Sequence, residues 1–185
     1  ANLRRILSGK PVIGFVGRLA GDKGIEELAQ AWMQLRDTHP DTRLLLVGGW
    51  DQDNPVPAAV RTMLERDDRV HITGFVADVV PYYALMTVFV FPSYREGFGN
   101  APLEAAAMEV PVVSSRVVGC MDSVADGVTG KLVPPRDCDS LVAAIREYLS
   151  DGELRRRHGR SGRERVLREF RQEQIWMSLY NEYVR

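Results

Sequence analysis

The chain has 185 residues and a formal charge of −1, from 24 Lys and Arg against 25 Asp and Glu; 45% of it is hydrophobic and 26% charged. At roughly 150 residues per domain this predicts one domain with a sizeable core, and the composition excludes a disordered or fibrous chain. Also excluded are a bilayer-crossing run of about 18–20 apolar residues, a signal-peptide core and a bulk positive charge for nucleic acid. The two cysteines, Cys120 and Cys138, are too few for a disulfide framework or a zinc site, so the expectation is a soluble domain of a reducing compartment.

Pro11 to Val16 is a short apolar run bounded by turn residues and predicts a buried strand. A glycine-rich cationic loop, residues 17–24, follows. Ile25, Leu28, Ala29, Trp32, Met33 and Leu35 then recur at helical spacing until Pro40 closes the helix. Arg43 to Gly49 predicts a second strand, Val56 to Leu64 a helix, and Val70 to Ile72 a third strand. Val79 to Leu85 reads as a short helix, Thr87 to Phe91 as a strand, Ala101 to Met108 as a small-residue helix and Val110 to Val113 as a strand. Lys131 to Val133 is the last strand and Ser140 to Leu149 an amphipathic helix. Almost wholly apolar strands alternating with helices predict an α/β fold, a Rossmann-like parallel sheet with helices on both faces. Ligands of such sheets lie at the carboxyl ends of strands near the switch point, which singles out residues 17–24, 48–55 and 92–104. The first and third carry the unusual chemistry.

In the first loop, Gly17, Gly21 and Gly24 surround Arg18 and Lys23 just before a helix. Glycines let the backbone approach an anion, and the helix start adds free N–H groups. An arginine fork and a lysine point charge then suit a diphosphate. The plainer alternative is a strand-to-helix turn with two solvated cations. Neither the G-x-G-x-x-G nor the G-x-x-x-x-G-K-[ST] pattern is present, which argues against an NAD site and a Walker-type site. In the third loop, Glu96 and Glu104 flank Gly97-Phe98-Gly99. With a helix opening near Gly99, Glu104 lies about 7 Å along its axis while Glu96 stays in the loop above. Two such carboxylates suit hydroxyl-bearing groups on either side of a diphosphate, for instance a sugar and a ribose. Ordinary surface charges are the plain alternative, and a glycosidase acid/base pair leaves the cationic loop unexplained.

The run G-R-L-A-G-D-K-G at residues 17–24, followed by E-G-F-G-N-A-P-L-E at 96–104, resembles the donor-binding half of retaining glycosyltransferases of family 4. Those enzymes have the GT-B architecture of two Rossmann-like domains facing across a cleft. The E-x7-E signature falls on Glu96 and Glu104, and the similarity runs from about Val12 to Leu149. The resemblance implies that Arg18 and Lys23 bind the nucleotide diphosphate and stabilise its charge as it leaves, beside Gly17. It implies that Glu96 positions donor-sugar hydroxyls and that the N–H groups of Phe98 and Gly99 meet sugar or phosphate. Glu104 would accept from the ribose, with Val76 near the base. A departure follows at Val118-Gly119-Cys120-Met121-Asp122, where the family often has Gly-Gly-x-x-Glu, so the contribution of this segment to the sugar site is open.

By the same resemblance, residues 1–185 are a C-terminal donor-binding domain, with its core at about 11–150 and C-terminal helices at 151–185. An N-terminal acceptor domain is then absent from the chain, and Leu3 to Leu7 is the tail of the interdomain connection. The implied function is transfer of a sugar from a nucleotide-diphosphate donor, UDP type first, to a saccharide or lipid-linked acceptor. The domain alone is expected to be inactive, since transfer needs both reactants held together. No cofactor and no metal are expected: His39, His71 and His158 form no ligand spacing, and Arg18 and Lys23 do the work of a divalent cation in other transferases.

Between Glu153 and Arg171 lie eight arginines and three glutamates. This reads as a basic helix packed on the domain through Leu154, Val166, Leu167 and Phe170, or as a contact with an anionic membrane surface. The expected location is cytoplasmic, with a peripheral place at the inner face of the membrane as the sharper version. Ile175, Trp176, Leu179, Tyr180 and Tyr183 then recur at helical spacing. Rival readings are a nucleotide-sugar 2-epimerase of the same architecture and a non-catalytic module for nucleotides or anions.

Overall fold

The computed structural model describes residues 2–170, so the stripe from Ile175 to Tyr183 lies outside the described residues. Six strands follow in chain order: β1 (Val12–Val16), β2 (Arg43–Val47), β3 (Val70–Ile72), β4 (Val88–Phe91), β5 (Val112–Ser115) and β6 (Gly130–Val133). They form one parallel sheet in the order β3-β2-β1-β4-β5-β6. β1 and β4 are buried at every position, as a strand covered on both faces requires. This is the Rossmann-like α/β fold that the alternation predicts.

Helix α1 (Asn2–Leu7) precedes the sheet. The crossovers are α2 (Ile25–Thr38), α3 (Ala58–Arg66), α4 (Val80–Tyr83), α5 (Asn100–Ala107) and α6 (Val118–Ser123), and α7 (Cys138–Ser150) and α8 (Gly152–Glu169) close the described chain. A right-handed crossover leading left from β1 to β2 and one leading right from β4 to β5 place α2 and α5 on opposite faces. α7 packs on α2 and also meets β4, β5 and β6, and α8 packs on α5, so helices cover both faces of the sheet. Asp137 caps α7 by accepting from the Ser140 N–H at 2.9 Å, and Asp151 caps α8 by accepting from the Glu153 and Leu154 N–H groups.

The sequence reading is corrected at two places. The segment after β5, for which the sequence predicts a loop and no regular element, forms α6, because Cys120 and Ser123 are buried and hold its inner side against the core. The basic segment packs less through Leu167, which is exposed, than through a small-residue seam: Gly159 and Gly162 lie against Glu109 and Ala106. Three of its arginines also turn inward. Arg155 donates to the carbonyls of Tyr148 and Leu149, Arg163 to that of Ala107, and Arg165 to that of Asp122.

His158 is buried where α8 meets α7, its Nδ1 2.7 Å from the Tyr148 hydroxyl. Burial, with the nearby Arg157 and Lys131 charges, pushes its pKa below the ordinary 6.5. An unfolded chain therefore binds this proton more readily than the folded one, so stability is retained above about pH 6.5 and lost as the pH falls through the lowered value. His71 is shifted the same way, first by burial. The melting temperature should decline between pH 7 and 5, and His158→Asn should flatten that slope; an unchanged slope would exclude His158 as a contributor.

Candidate functional site

The strand order reverses between β1 and β4, and the loops leaving these two strands run toward opposite faces of the sheet. In open α/β sheets the crevice between two such loops takes the ligand. The glycine-rich loop after β1 and the Glu96 loop after β4 are those two loops.

Arg18 is held by an extension of the β1–β2 pairing. Gly17 N–H donates to the Val47 carbonyl at 3.0 Å, Leu19 N–H to that of Gly49 at 2.9 Å, and Asp51 N–H to that of Leu19 at 3.1 Å. Between these bonds the Arg18 side chain reaches across and pairs with Asp51. Lys23 ends a 3₁₀ turn, Gly21–Lys23, and forms an ion pair with Glu96 at 2.5 Å. Both side chains are largely withdrawn from water, at 16% and 13% exposed. The ammonium also lies over the Phe91 ring, 5.8 Å from its centroid. The two loops are tied directly: Tyr94 N–H and the Ser93 hydroxyl both donate to the Asp22 carbonyl, at 2.9 and 3.2 Å.

Glu104 stands on α5 with its side chain toward α4. The Tyr83 hydroxyl donates to Glu104 Oε2 at 2.9 Å and makes a second contact with the Ala101 carbonyl at 3.3 Å. Burial, and then the neighbouring carboxylate, raise the Tyr83 phenol far above its usual range, so it remains a donor. One carboxylate oxygen of Glu104 is thereby held and the other left for a ligand. Tyr83→Phe should lower stability little and weaken the binding of a ligand held by Glu104 a few-fold, in line with about 1 kcal/mol for one neutral donor on a carboxylate. Calorimetric titration would check it, and unchanged affinity would show that the tyrosine does not hold Glu104.

Val76, Gly17 and Arg18 line one cleft of about 230 Å³, with Gly48, Gly49 and Phe75 on its walls. Phe98 is exposed at the mouth of the Glu96 loop, its ring 6.1 Å from that of Phe170. Gly99 differs from expectation: its N–H is occupied by the Gly119 carbonyl at 3.0 Å, so it does not face an incoming oxygen. The Phe98 N–H has no such partner among the described residues.

The departing segment explains this. A Cβ on Gly119 would lie 2.7 Å from the Glu96 carbonyl oxygen, so α6 is packed directly beneath the Glu96 loop. The second glycine of the pattern thus has a packing role, while Val118, at the position of the first, is 71% exposed. Cys120 is buried, and desolvation raises its thiol pKa, which makes it an unreactive core side chain.

Two residues of the site were not singled out from sequence. Tyr83 lies within the short helix predicted over Val79 to Leu85, and no spacing marks it as a site residue. Asp51 belongs to the second of the three strand-end loops, residues 48–55; its signal is the run Asp51-Gln52-Asp53-Asn54-Pro55, whose first residue can close an Asx turn. Among the described residues no group of three or more His, Cys, Asp or Glu is arranged to hold a metal ion, and no helix is long and apolar enough to cross a membrane.

Comparison with known proteins bears on the family and the fold. Residues 10–151 match the family model for glycosyl transferases group 1. The chain is 36% identical over 184 residues to the capsular polysaccharide biosynthesis glycosyltransferase CapM of Staphylococcus aureus, covering 98% of this chain and 48% of that protein. It superposes on sucrose-phosphate synthase of Thermosynechococcus elongatus with a TM-score of 0.85 at 36% identity, covering 98% of this chain and 47% of that one. HepE of Anabaena, solved with UDP and glucose, gives a TM-score of 0.84 at 26% identity, covering 97% of this chain and 51% of that one. The chain spans about half the length of the curated relatives it matches. With a switch-point crevice built from Arg18, Lys23 and Glu96, and a family match across most of its length, this chain belongs to the glycosyl transferases group 1 family, as one Rossmann-like domain of the GT-B type.

Proposed function

We propose that this chain is the C-terminal, donor-binding half of a retaining glycosyltransferase of family 4 that takes a UDP-type sugar donor. The observation that carries this reading is the meeting of Lys23 and Glu96, 73 positions apart in sequence, at 2.5 Å in the switch-point crevice. A cation and a carboxylate at that spot match a phosphate next to a polyhydroxylated group, and a solved relative, HepE, holds UDP and glucose. The base occupies the cleft of Gly17, Gly48, Gly49 and Val76, and the ribose hydroxyls donate to Glu104. Arg18, Lys23 and the Phe98 N–H take the diphosphate. Lys23 then leaves Glu96 for a phosphate oxygen, which frees the carboxylate for sugar hydroxyls. Both cations offset the negative charge that grows on the leaving diphosphate, an effect concentrated in the transition state.

The acceptor is a saccharide or lipid-linked sugar supplied against a second domain, with a cytoplasmic location at the inner membrane face. Arg156, Arg157 and Arg160 are exposed and available for an anionic surface, whereas Arg155 is committed to backbone carbonyls. Thermal shift with UDP, GDP and ADP tests the donor assignment. UDP should raise the melting temperature and Glu104→Ala should remove the shift. No shift with any of the three overturns the reading.

A further inference from the structure

Asp51 is a carboxylate whose geometry is more fully determined than that of the arginine it contacts. Its side chain is 7% exposed, against 62% for Arg18. Its Oδ1 accepts from the N–H groups of Asp53 and Asn54, both at 2.9 Å, in an Asx turn that closes the loop after β2. The other oxygen, Oδ2, accepts from the Arg18 guanidinium. These bonds, led by the one from Asn54, hold the carboxyl below the usual carboxylate range.

The turn is itself anchored to the glycine-rich loop. Leu19 and Trp50 form a parallel bridge, the Gly21 N–H donates to the Asn54 carbonyl at 3.0 Å, and Asn54 Nδ2 donates to Asp22 Oδ1 at 2.8 Å. The carboxylate is therefore built into the sheet end, and the exposed arginine hangs on it.

We propose that Asp51 is a positioning residue that aims the Arg18 guanidinium at the donor diphosphate; this rests on the donor-site reading above. An exposed arginine has many rotamers, and ordering it on binding opposes affinity. Fixing one corner of the fork to Asp51 restricts those rotamers before the ligand arrives. A guanidinium has five N–H donors, so those not engaged by Asp51 stay free for phosphate oxygens. The negative charge of Asp51 does little to repel the diphosphate, because it is already met by two N–H groups and the guanidinium. Orientation therefore outweighs repulsion.

Asp51→Asn keeps an oxygen for the Asx turn and removes the charge that holds Arg18; Asp51→Ala removes both. With UDP and with inorganic pyrophosphate as probes, Asp51→Asn should bind each about three- to tenfold more weakly than the wild type, with an unchanged melting temperature. In an Arg18→Gln background the same substitution should have no further effect. In the ligand-free protein, the Arg18 Nε–Hε group should become more mobile in Asp51→Asn by side-chain relaxation.

If Asp51→Asn binds like the wild type while Asp51→Ala is weakened, the residue only shapes the turn and the proposal fails. An Arg18 signal equally ordered in both forms overturns it without any ligand. Wild-type protein that ignores UDP, GDP and ADP sinks the functional reading instead, a result separate from a normal affinity that Asp51→Asn leaves untouched.

Discussion

Lys23→Met should reduce affinity for UDP tenfold or more and destabilise the fold by about 2 kcal/mol. Methionine keeps the length of the side chain and its place beside the Phe91 ring, so packing is largely preserved and the loss is that of the charge. Two consequences follow from one missing ammonium. On the proposed donor-site reading, the diphosphate loses a charge-assisted contact of the kind worth about 1.5–3 kcal/mol. Glu96, only 13% exposed, loses its ion-pair partner, and a largely desolvated carboxylate without a partner is costly.

These two losses are separable. Adding Glu96→Gln removes the unpaired charge, so the double variant should regain most of the lost stability yet still bind UDP at least tenfold more weakly. Denaturant unfolding and titration calorimetry on the two single variants and the double variant complete the cycle. If Lys23→Met is as stable as the wild type, the ion pair does not hold the two loops. If it binds UDP normally, Lys23 does not touch the phosphate.

That contrast also explains what was legible in the sequence. β1, β4 and the helices behind them follow from local pattern, because a doubly covered strand is apolar throughout and α2 repeats Leu28, Trp32 and Leu35 on one side. The positions of Glu96 and Glu104, one in the loop and one inside α5, likewise follow from where a helix can open after Gly99. The partners of these residues do not. Lys23 and Glu96 meet only because β1 and β4 are neighbours in the sheet, and strand order is a property of the assembled fold. Asp51 reaches Arg18 for the same reason across β1 and β2. Helix α6 was missed because its six residues are too few for a period to show, and its glycine faces the Glu96 loop rather than a turn. The family resemblance implies a ligand-facing N–H at Gly99, but the carbonyl of Gly119 that takes it comes from a segment 20 residues on, which no local pattern reveals.

Gly24→Ala should destabilise the domain by about 3 kcal/mol and weaken UDP binding even in the fraction that remains folded. Gly24 joins the 3₁₀ turn of Lys23 to α2 and adopts φ +67°, in the left-handed region, where a side chain costs roughly 1–2 kcal/mol. The larger part is steric. A Cβ at this position would stand 2.1 Å from the carbonyl oxygen of Pro92, a backbone atom that cannot rotate away. Relief requires the loops after β1 and β4 to separate, and those loops carry Lys23 and Glu96. The Asp22 carbonyl, which accepts from Ser93 and Tyr94, lies on the same seam, so its two bonds stretch as well.

Gly9→Ala supplies the contrast. That glycine has a similar φ of +73° but open space around its Cβ position, so its substitution should cost about 1 kcal/mol and leave UDP affinity unchanged. Equal effects at the two positions would mean that backbone conformation alone is responsible. A loss of affinity confined to Gly24→Ala would show that close approach of the two loops is what brings Lys23 and Glu96 within reach of one donor.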